Sequence, residues 1–349
     1  MSSPTKGETP EQGGTHKAAS PASQPEHGED TIEAADGDDE DAGYCTDEAS
    51  SISTSLSSSV RDFAFENGRR YHKFREGTYQ FPNDEPEQAR EDMKHAMIVN
   101  ICDGRLHYAP LENLQQVLDL GTGTGIWCID MGDEYPGASI LGIDLSPIQP
   151  NWVPPNVKFM VDDFESPWLQ GENHFDFVHA RAIAPITKDL PKVLSEAYRT
   201  IKPGGWIEFQ EQQFHALCDD GTMPENYLLN EWWEHLGKGL AVFGRDLAAV
   251  LKTAQHLTDA GFINVEERVV KLPIGPWAKD KKLRTVGLYS RASIEDGLEG
   301  LSLGPMARGL GWSPDEVRVY LVGVRKALMD RSIHSYMTFH VIYGQKPPS

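Results

Sequence analysis

Val117-Leu118-Asp119-Leu120-Gly121-Thr122-Gly123-Thr124-Gly125-Ile126-Trp127 is the stretch whose reading decides the fold. An apolar run of buried-strand length stops at Asp119-Leu120 and meets three glycines within five residues. Glycines this close together let the backbone turn sharply and approach a ligand with no Cβ in the way. The helix that follows offers N–H groups with no partner inside the helix. Together they form a pocket for a nucleotide-like cofactor.

Working outward, Gln116 to Leu120 reads as a first strand, Ile126 to Tyr135 as a helix, and Ser139 to Asp144 as a second strand after the Pro136-Gly137 turn. Val157 to Val161 and Phe175 to Ala180 follow as strands, then an amphipathic helix from Leu190 to Ile201. Lys202-Pro203-Gly204-Gly205 closes that helix before a strand from Trp206 to Gln210. Successive βα units predict a mostly parallel, Rossmann-like sheet with helices on both faces. Further helices are expected over 227–240, 246–260, 281–298 and 314–329, and further strands over 265–272 and 336–343. Upstream, apolar residues at Ala89, Met93, Ala96, Met97, Val99 and Ile101 predict a helix over 86–103.

The glycine loop discriminates among cofactors. A dinucleotide fingerprint wants glycine at the position of Ile126, and a P-loop wants Gly-Lys-Ser/Thr, which is absent. Asp-Leu-Gly-x-Gly-x-Gly instead resembles the first motif of class I S-adenosylmethionine-dependent methyltransferases. Four further features stand in register with it. Asp144 ends the second strand, where a carboxylate can accept hydrogen bonds from ribose hydroxyls. Asp162-Asp163-Phe164 follows the third strand. Phe175 to Arg181 matches the family's fourth strand, and Ile201-Lys202-Pro203-Gly204-Gly205-Trp206 the turn before its fifth. The resemblance implies an α/β class I methyltransferase fold with a mostly parallel seven-stranded sheet. It also implies S-adenosyl-L-methionine held by Asp119, Gly121, Gly123, Gly125, Asp144 and Leu145, with Asp163 and Phe164 near the adenine. Each element also has a plainer reading: a tight turn for the glycines, a helix cap for Asp144, a solvated pair for Asp162 and Asp163.

A narrower similarity lies upstream and downstream. Glu66-Asn67-Gly68-Arg69-Arg70-Tyr71-His72-Lys73-Phe74-Arg75-Glu76-Gly77-Thr78-Tyr79, the Ser53 to Ser59 run, Gly275-Pro276-Trp277-Ala278 and Arg331 to Tyr336 resemble the fungal LaeA-like methyltransferases. The resemblance implies that Arg69 to Tyr79, Tyr71 included, forms a lid over the cofactor; docking of this segment on the sheet is the equal alternative. It also implies a role in fungal secondary metabolism, either as an enzyme on a small molecule or as a nuclear regulator acting through velvet-type protein partners. The expected organisation is an arm over 1–60, an N-terminal helical lid segment over 61–110 and the methyltransferase domain over 111–349.

Charge is unevenly spread. Residues 1–60 hold thirteen Asp plus Glu against two Lys, so they carry −11 of the formal net charge of −21. With few large apolar residues, this acidic, Ser-rich arm is expected to be disordered. The acidic balance argues against direct nucleic-acid binding. Membrane spanning is not expected, because no stretch approaches the roughly 20 continuous apolar residues it requires, and no signal-peptide core is visible. The expected location is cytoplasmic, nuclear or both. Cys45, Cys102, Cys128 and Cys218 form no CxxC pair, so neither a disulfide framework nor a metal site is expected.

Methyl transfer needs alignment and water exclusion more than acid–base chemistry. Where the methyl acceptor, a small molecule or a protein, must lose a proton, His179 at the end of the fourth strand is the first candidate base, with Glu211 and His215 behind it. Arg181 is a candidate for orienting an acidic substrate or for pairing with Asp176. Glu208 and Glu211 should face opposite sides of their strand. The absence of an Asn-Pro-Pro-Tyr-type sequence after the fourth strand argues against adenine-N6 or glutamine methylation. Acceptor-side residues are expected from Tyr227 to Phe243 and from Lys279 to Leu310, although Trp232 and Trp233 read more simply as core or partner surface.

Overall fold

The computed structural model describes residues 63–75 and 77–349. The acidic arm expected over 1–60 lies outside them. In chain order the elements are β1 (Phe63–Glu66), β2 (Arg69–His72), α1 (Glu85–Ile101), β3 (Gln116–Leu120), α2 (Ile126–Glu134), β4 (Ser139–Asp144), β5 (Val157–Val161) and β6 (Phe175–Arg181). They continue with α3 (Leu190–Thr200), β7 (Ile201–Cys218), α4 (Leu228–Val242), α5 (Val250–Asp259), β8 (Ile263–Pro273), α6 (Lys281–Ser302), α7 (Pro314–Leu328) and β9 (Ser335–Gln345). A π-helical stretch, Leu303–Gly309, continues α6.

Seven strands form the main sheet in the order β5-β4-β3-β6-β7-β9-β8. The first five run parallel, and β9 is inserted antiparallel between β7 and β8. Alternation along the strands sends Leu118, Leu120, Val178, Ala180, Ile207 and Phe209 to the face covered by α3 and α5, where Val193, Leu194, Ala197 and Leu257 meet them. Val117, Phe177 and Val341 face the other way, into a larger core with Met97, Trp127, Met131, Trp232 and Leu298. Each such buried Val, Leu, Ile, Phe or Met side chain contributes about 1.5–3 kcal/mol relative to exposure.

The segment before the sheet is not helical throughout, because a two-stranded antiparallel hairpin, β1–β2, precedes the helix. Asn67 and Gly68 both take positive φ at its turn, the pair that a tight hairpin turn demands. Asp84 caps α1 by accepting from the Glu87 N–H, and Pro86 fixes the first helical turn. The same carboxylate accepts two hydrogen bonds from Arg69, at 2.6 and 2.8 Å, which ties β2 to the start of α1. Strand β7 is far longer than the expected 206–210. It starts at Ile201 and continues to Cys218 because β9 supplies a ladder beyond the reach of β6. Residues 202–205 bulge out between the Phe175–Ile201 and Phe177–Trp206 pairings.

No helix among the described residues is long and apolar enough to cross a membrane. The turn from β3 into α2 depends on glycine for room as well as conformation: Gly125 has φ +82°, and a Cβ there would run into the Phe159 ring. Gly125→Ala is expected to lower stability by about 2 kcal/mol through strain and overpacking. Urea unfolding checks this, and an unchanged midpoint would contradict the packing described.

Candidate functional site

The glycine loop and the end of β4 are joined by one carboxylate. Asp144 Oδ2 accepts from the Gly123 N–H at 2.9 Å and Oδ1 from the Ser146 N–H at 2.8 Å. Burial raises this carboxyl to about 6, with the two amides pulling the other way. Gly121 has φ +64°, and a Cβ there would lie 2.9 Å from Ile183 Cγ2, so the residue holds the loop against the end of β6. Gly123 has φ +56°, and a Cβ there would meet nothing within 4 Å, so its backbone borders open space.

That space is a cavity of about 190 Å³ at the carboxyl ends of the parallel strands. Gly121, Gly123, Thr124, Asp144, Leu145 and Phe164 line one part of it. Phe214, Trp233, Leu236, Leu240, Ile294 and Met337, from β7, α4, α6 and β9, line another. Tyr79, Phe81, Pro82 and Asn83 close it from the segment before α1. Ala182, at the mouth after β6, holds a left-handed φ of +55°, a conformation an L-residue adopts only when its surroundings impose it. Polar and apolar linings meeting at strand ends where the chain crosses over mark the usual ligand position in open α/β sheets.

A methyltransferase domain model matches residues 93–257 of this chain. Methyltransferase pytC of Aspergillus terreus is 40% identical over 296 residues, covering 84% of this chain and 91% of that protein. The secondary metabolism regulator LAE1 of Cochliobolus heterostrophus is 39% identical, covering 81% of this chain and 94% of that protein. The chain belongs to the fungal LaeA-like methyltransferase family. Its function lies in methyl transfer within secondary metabolism or in the regulation of that metabolism. Among solved structures, a phosphoethanolamine N-methyltransferase 2 of Haemonchus contortus aligns at a TM-score of 0.44 and 18% identity, over 72% of this chain and 52% of that one.

Of the other expected residues of this LaeA-like chain, Asp163 and Tyr71 sit around the cavity rather than on it. Asp163 is saturated by the Arg75 guanidinium at 2.6 Å, the Ser166 hydroxyl at 3.2 Å and the Glu165 N–H at 2.9 Å. It therefore pins the segment before α1 while its neighbour Phe164 lines the cavity. Arg245 adds a second pin, donating to the Thr78 carbonyl and to Glu165. Tyr71 packs under the Arg308 guanidinium, 5.4 Å from its ring centre, and is not among the lining residues. Arg181 lines the cavity but does not pair with Asp176; it donates to Gln210 Oε1 and meets His95 Nδ1. Asp176 instead accepts from the Gln115 and Gln116 amides and from Lys202.

His179 and Asp119 form a buried pair, Nδ1 to Oδ1 at 2.7 Å, and Asp119 Oδ2 also accepts from the Cys128 thiol. The imidazole lies flat on Trp127, with ring centres 3.7 Å apart and planes 4° apart. Neither His179 nor Asp119 lines the cavity. Glu208 and Glu211 do face opposite sides of β7, and each is fully buried and accepts two backbone N–H groups: Tyr108 and Ala109 for Glu208, Ile183 and Ala184 for Glu211. Burial raises the Glu211 carboxyl to about 8 against the pull of those amides.

Sequence reasoning passed over the row Glu87, Arg90, Glu91 and Lys94, which lines the cavity from α1. The side chains pair among themselves, Arg90 with Glu87 and Glu91, and Lys94 with Glu91. Their i, i+3, i+4 spacing was the available signal, but the same spacing describes any solvated helix face.

Burial holds the His179 imidazole down to about 4, with Asp119 opposing the shift. The unfolded chain takes up this proton near pH 6.5 and the folded chain near 4, so the contribution to stability is complete above 6.5 and is lost as pH falls toward 4. Relative to a His179→Gln variant, the wild type is expected to lose roughly 2 kcal/mol of unfolding free energy between about pH 7 and pH 5. The Asp144 and Glu211 contributions, opposite in sign, are common to both proteins and cancel. Parallel pH profiles in urea unfolding would contradict a buried neutral imidazole.

Proposed function

We propose that the protein binds S-adenosyl-L-methionine in this cavity and transfers its methyl group to a small molecule of fungal secondary metabolism. The observation that carries the reading is the continuity of one cavity from the Gly121, Gly123 and Asp144 cradle to a largely apolar chamber bounded by Phe214, Trp233 and Ile294. Asp144 suits the ribose hydroxyls, Leu145 and Phe164 suit the adenine, and the open side of Gly123 suits close approach by a ligand. When bound, the cofactor supplies an already electrophilic methyl group on a sulfonium sulfur. The protein's part is then to align the acceptor and exclude water. Tyr79 and Phe81, held down through Arg75–Asp163 and Arg245–Thr78, serve as the cover.

In this reading His179 positions rather than reacts. A base must reach the proton it removes, whereas His179 is fully buried between Asp119 and Trp127. It holds the Asp119 carboxylate, two residues before Gly121, through the Nδ1–Oδ1 hydrogen bond. The relatives named as secondary metabolism regulators support a second reading, in which the cofactor is bound but the output is regulation of that metabolism.

Calorimetric titration with S-adenosylmethionine is expected to show binding by the wild type and none by Gly123→Asp, which crowds a second carboxylate against Asp144 at a positive-φ position. Asp144→Ala should weaken binding at least about tenfold, a loss of roughly 1.4 kcal/mol. Absence of binding by the wild type would remove the proposal. With methyl-labelled donor and a fungal culture extract, label in the organic-soluble fraction supports the enzyme, and label confined to protein, or absent, supports the regulatory reading.

A further inference from the structure

The charged groups that face the cavity do not include the acid of the glycine motif. Asp119 has both oxygens engaged away from it, Oδ1 with His179 Nδ1 and Oδ2 with the Cys128 thiol. Charge reaches the cavity instead from α1 and from the end of β6, where Glu91 and Arg181 line it. The Glu91 side chain keeps 36% of its surface accessible, against 7% for its partner Arg90 and 11% for Lys94. Its Oε1 accepts from both Arg90 and Lys94, but its Oε2 only from Lys94, at 2.9 Å. A carboxylate oxygen has two lone pairs, so Oε2 can take a further donor without breaking either ion pair.

Arg181 has capacity to spare as well. Its Nε and Nη2 donate to Gln210 Oε1 and its Nη1 to His95 Nδ1, which uses three of the five N–H groups of a guanidinium. A guanidinium only donates, so His95 accepts at Nδ1 and donates from Nε2 to Asp130 at 2.8 Å. These bonds fix Arg181 against α1 one helical turn from Glu91, since residues four apart share a helix face. Burial pushes the Glu91 carboxyl up, yet Lys94 and Arg90, with Arg181 assisting, hold it below its ordinary range. Asp92, the next residue, accepts from the Thr124 hydroxyl at 2.6 Å and ties the same turn of α1 to the glycine loop. Burial raises the Tyr79 phenol well above its ordinary range, and Glu91, Glu87 and Asp144 raise it further, so the cover lies against Glu91 and Asp144 together.

We propose that Glu91 and Arg181 bind the amino-acid end of the methyl donor, the Glu91 carboxylate taking its α-ammonium and the Arg181 guanidinium its α-carboxylate. The proposal rests on the reading of this cavity as the S-adenosyl-L-methionine site. A zwitterion brings one charge of each sign, and this pair offers the opposite of each, so binding leaves the net charge of the pocket unchanged. Hydrogen bonds between ionised partners are roughly twice as strong as neutral ones. The consequence is selectivity on the donor side: a nucleoside that lacks either charge meets only one of the two groups.

The test is a calorimetric titration of the full chain with S-adenosylhomocysteine and three analogues cut back at the amino-acid end. Carboxypropyl-thioadenosine lacks the ammonium, aminopropyl-thioadenosine lacks the carboxylate, and methylthioadenosine lacks both. The wild type is expected to bind each analogue at least about tenfold more weakly than S-adenosylhomocysteine. Glu91→Gln should erase the preference that the ammonium confers and keep the one that the carboxylate confers, and Arg181→Gln should do the reverse. Methylthioadenosine affinity should move little in either variant, whereas a merely structural loss would weaken all four ligands alike. Where a variant does not fold, Glu91→Asp or Arg181→Lys replaces it, keeping the charge while altering its reach, and should weaken the corresponding preference alone. Three results would overturn the subsite while leaving the cofactor reading intact: equal wild-type affinity for methylthioadenosine and S-adenosylhomocysteine; preferences untouched, or all four affinities lowered alike, in the variants; or an ammonium preference lost in Asp119→Asn and kept in Glu91→Gln. Failure of the wild type to bind both S-adenosylhomocysteine and methylthioadenosine would overturn the cofactor reading and the subsite with it.

Discussion

One buried carboxylate organises the working end of this molecule. Asp144 accepts the Gly123 amide with one oxygen and the Ser146 amide with the other, and so fixes the turn after β3 to the turn after β4. A carboxylate out of water needs such donors, and burial still raises its pKa to about 6. The loop it holds carries Gly121 and Gly123 in left-handed conformations, one pressed against Ile183 and the other facing open space. These two joined turns form one wall of the cavity.

The same device recurs on both faces of β7, and on one of them it reaches the cavity through Ile183. Glu208 holds the backbone of Tyr108 and Ala109, and Glu211 holds that of Ile183 and Ala184, each carboxylate taking two N–H groups from a loop with no ladder of its own. Two arginines, Arg75 and Arg245, bring the segment before α1 across the strand ends. Side chains far apart in sequence thereby meet: Tyr79 before the sheet, Trp233 and Leu236 in its middle, Ile294 and Met337 near its end. The methyltransferase domain model stops at residue 257, so Ser290, Ile294 and Met337 belong to a wall outside the matched core.

The parallel part of the fold was legible in the sequence because its strands are short, apolar and bounded by glycine, proline or acid. Gln116–Leu120, Ser139–Asp144 and Val157–Val161 coincide with β3, β4 and β5. Strand β7 was underestimated because its length comes from pairing with β9, 130 or so residues away, and a ladder leaves no local mark. The β1–β2 hairpin was absorbed into a helical segment, although Asn67-Gly68 is a strong turn signal. At the site, Gly121, Gly123, Asp144, Leu145 and Phe164 were named and do line the cavity. His179 was named for its titratable ring, and Asp119 and Tyr71 through the family resemblance; none of the three lines the cavity, because neither titratability nor a motif says which side of a strand or hairpin looks outward. Trp233 was read as core or partner surface beside Trp232; both are buried, but the roughly 100° between successive helical residues turns one toward the cavity and the other toward Ser302.

The central claim is that one cavity, fixed by Asp144, receives the methyl donor beneath the segment that precedes α1. A crystal structure of the protein with S-adenosylhomocysteine tests it most directly. The account predicts ligand density between Gly121, Gly123 and Asp144, with the ribose against the Asp144 carboxylate and Tyr79 above it. Ligand density elsewhere on the molecule, or a ribose that leaves Asp144 bonded only to Gly123 and Ser146, would contradict it.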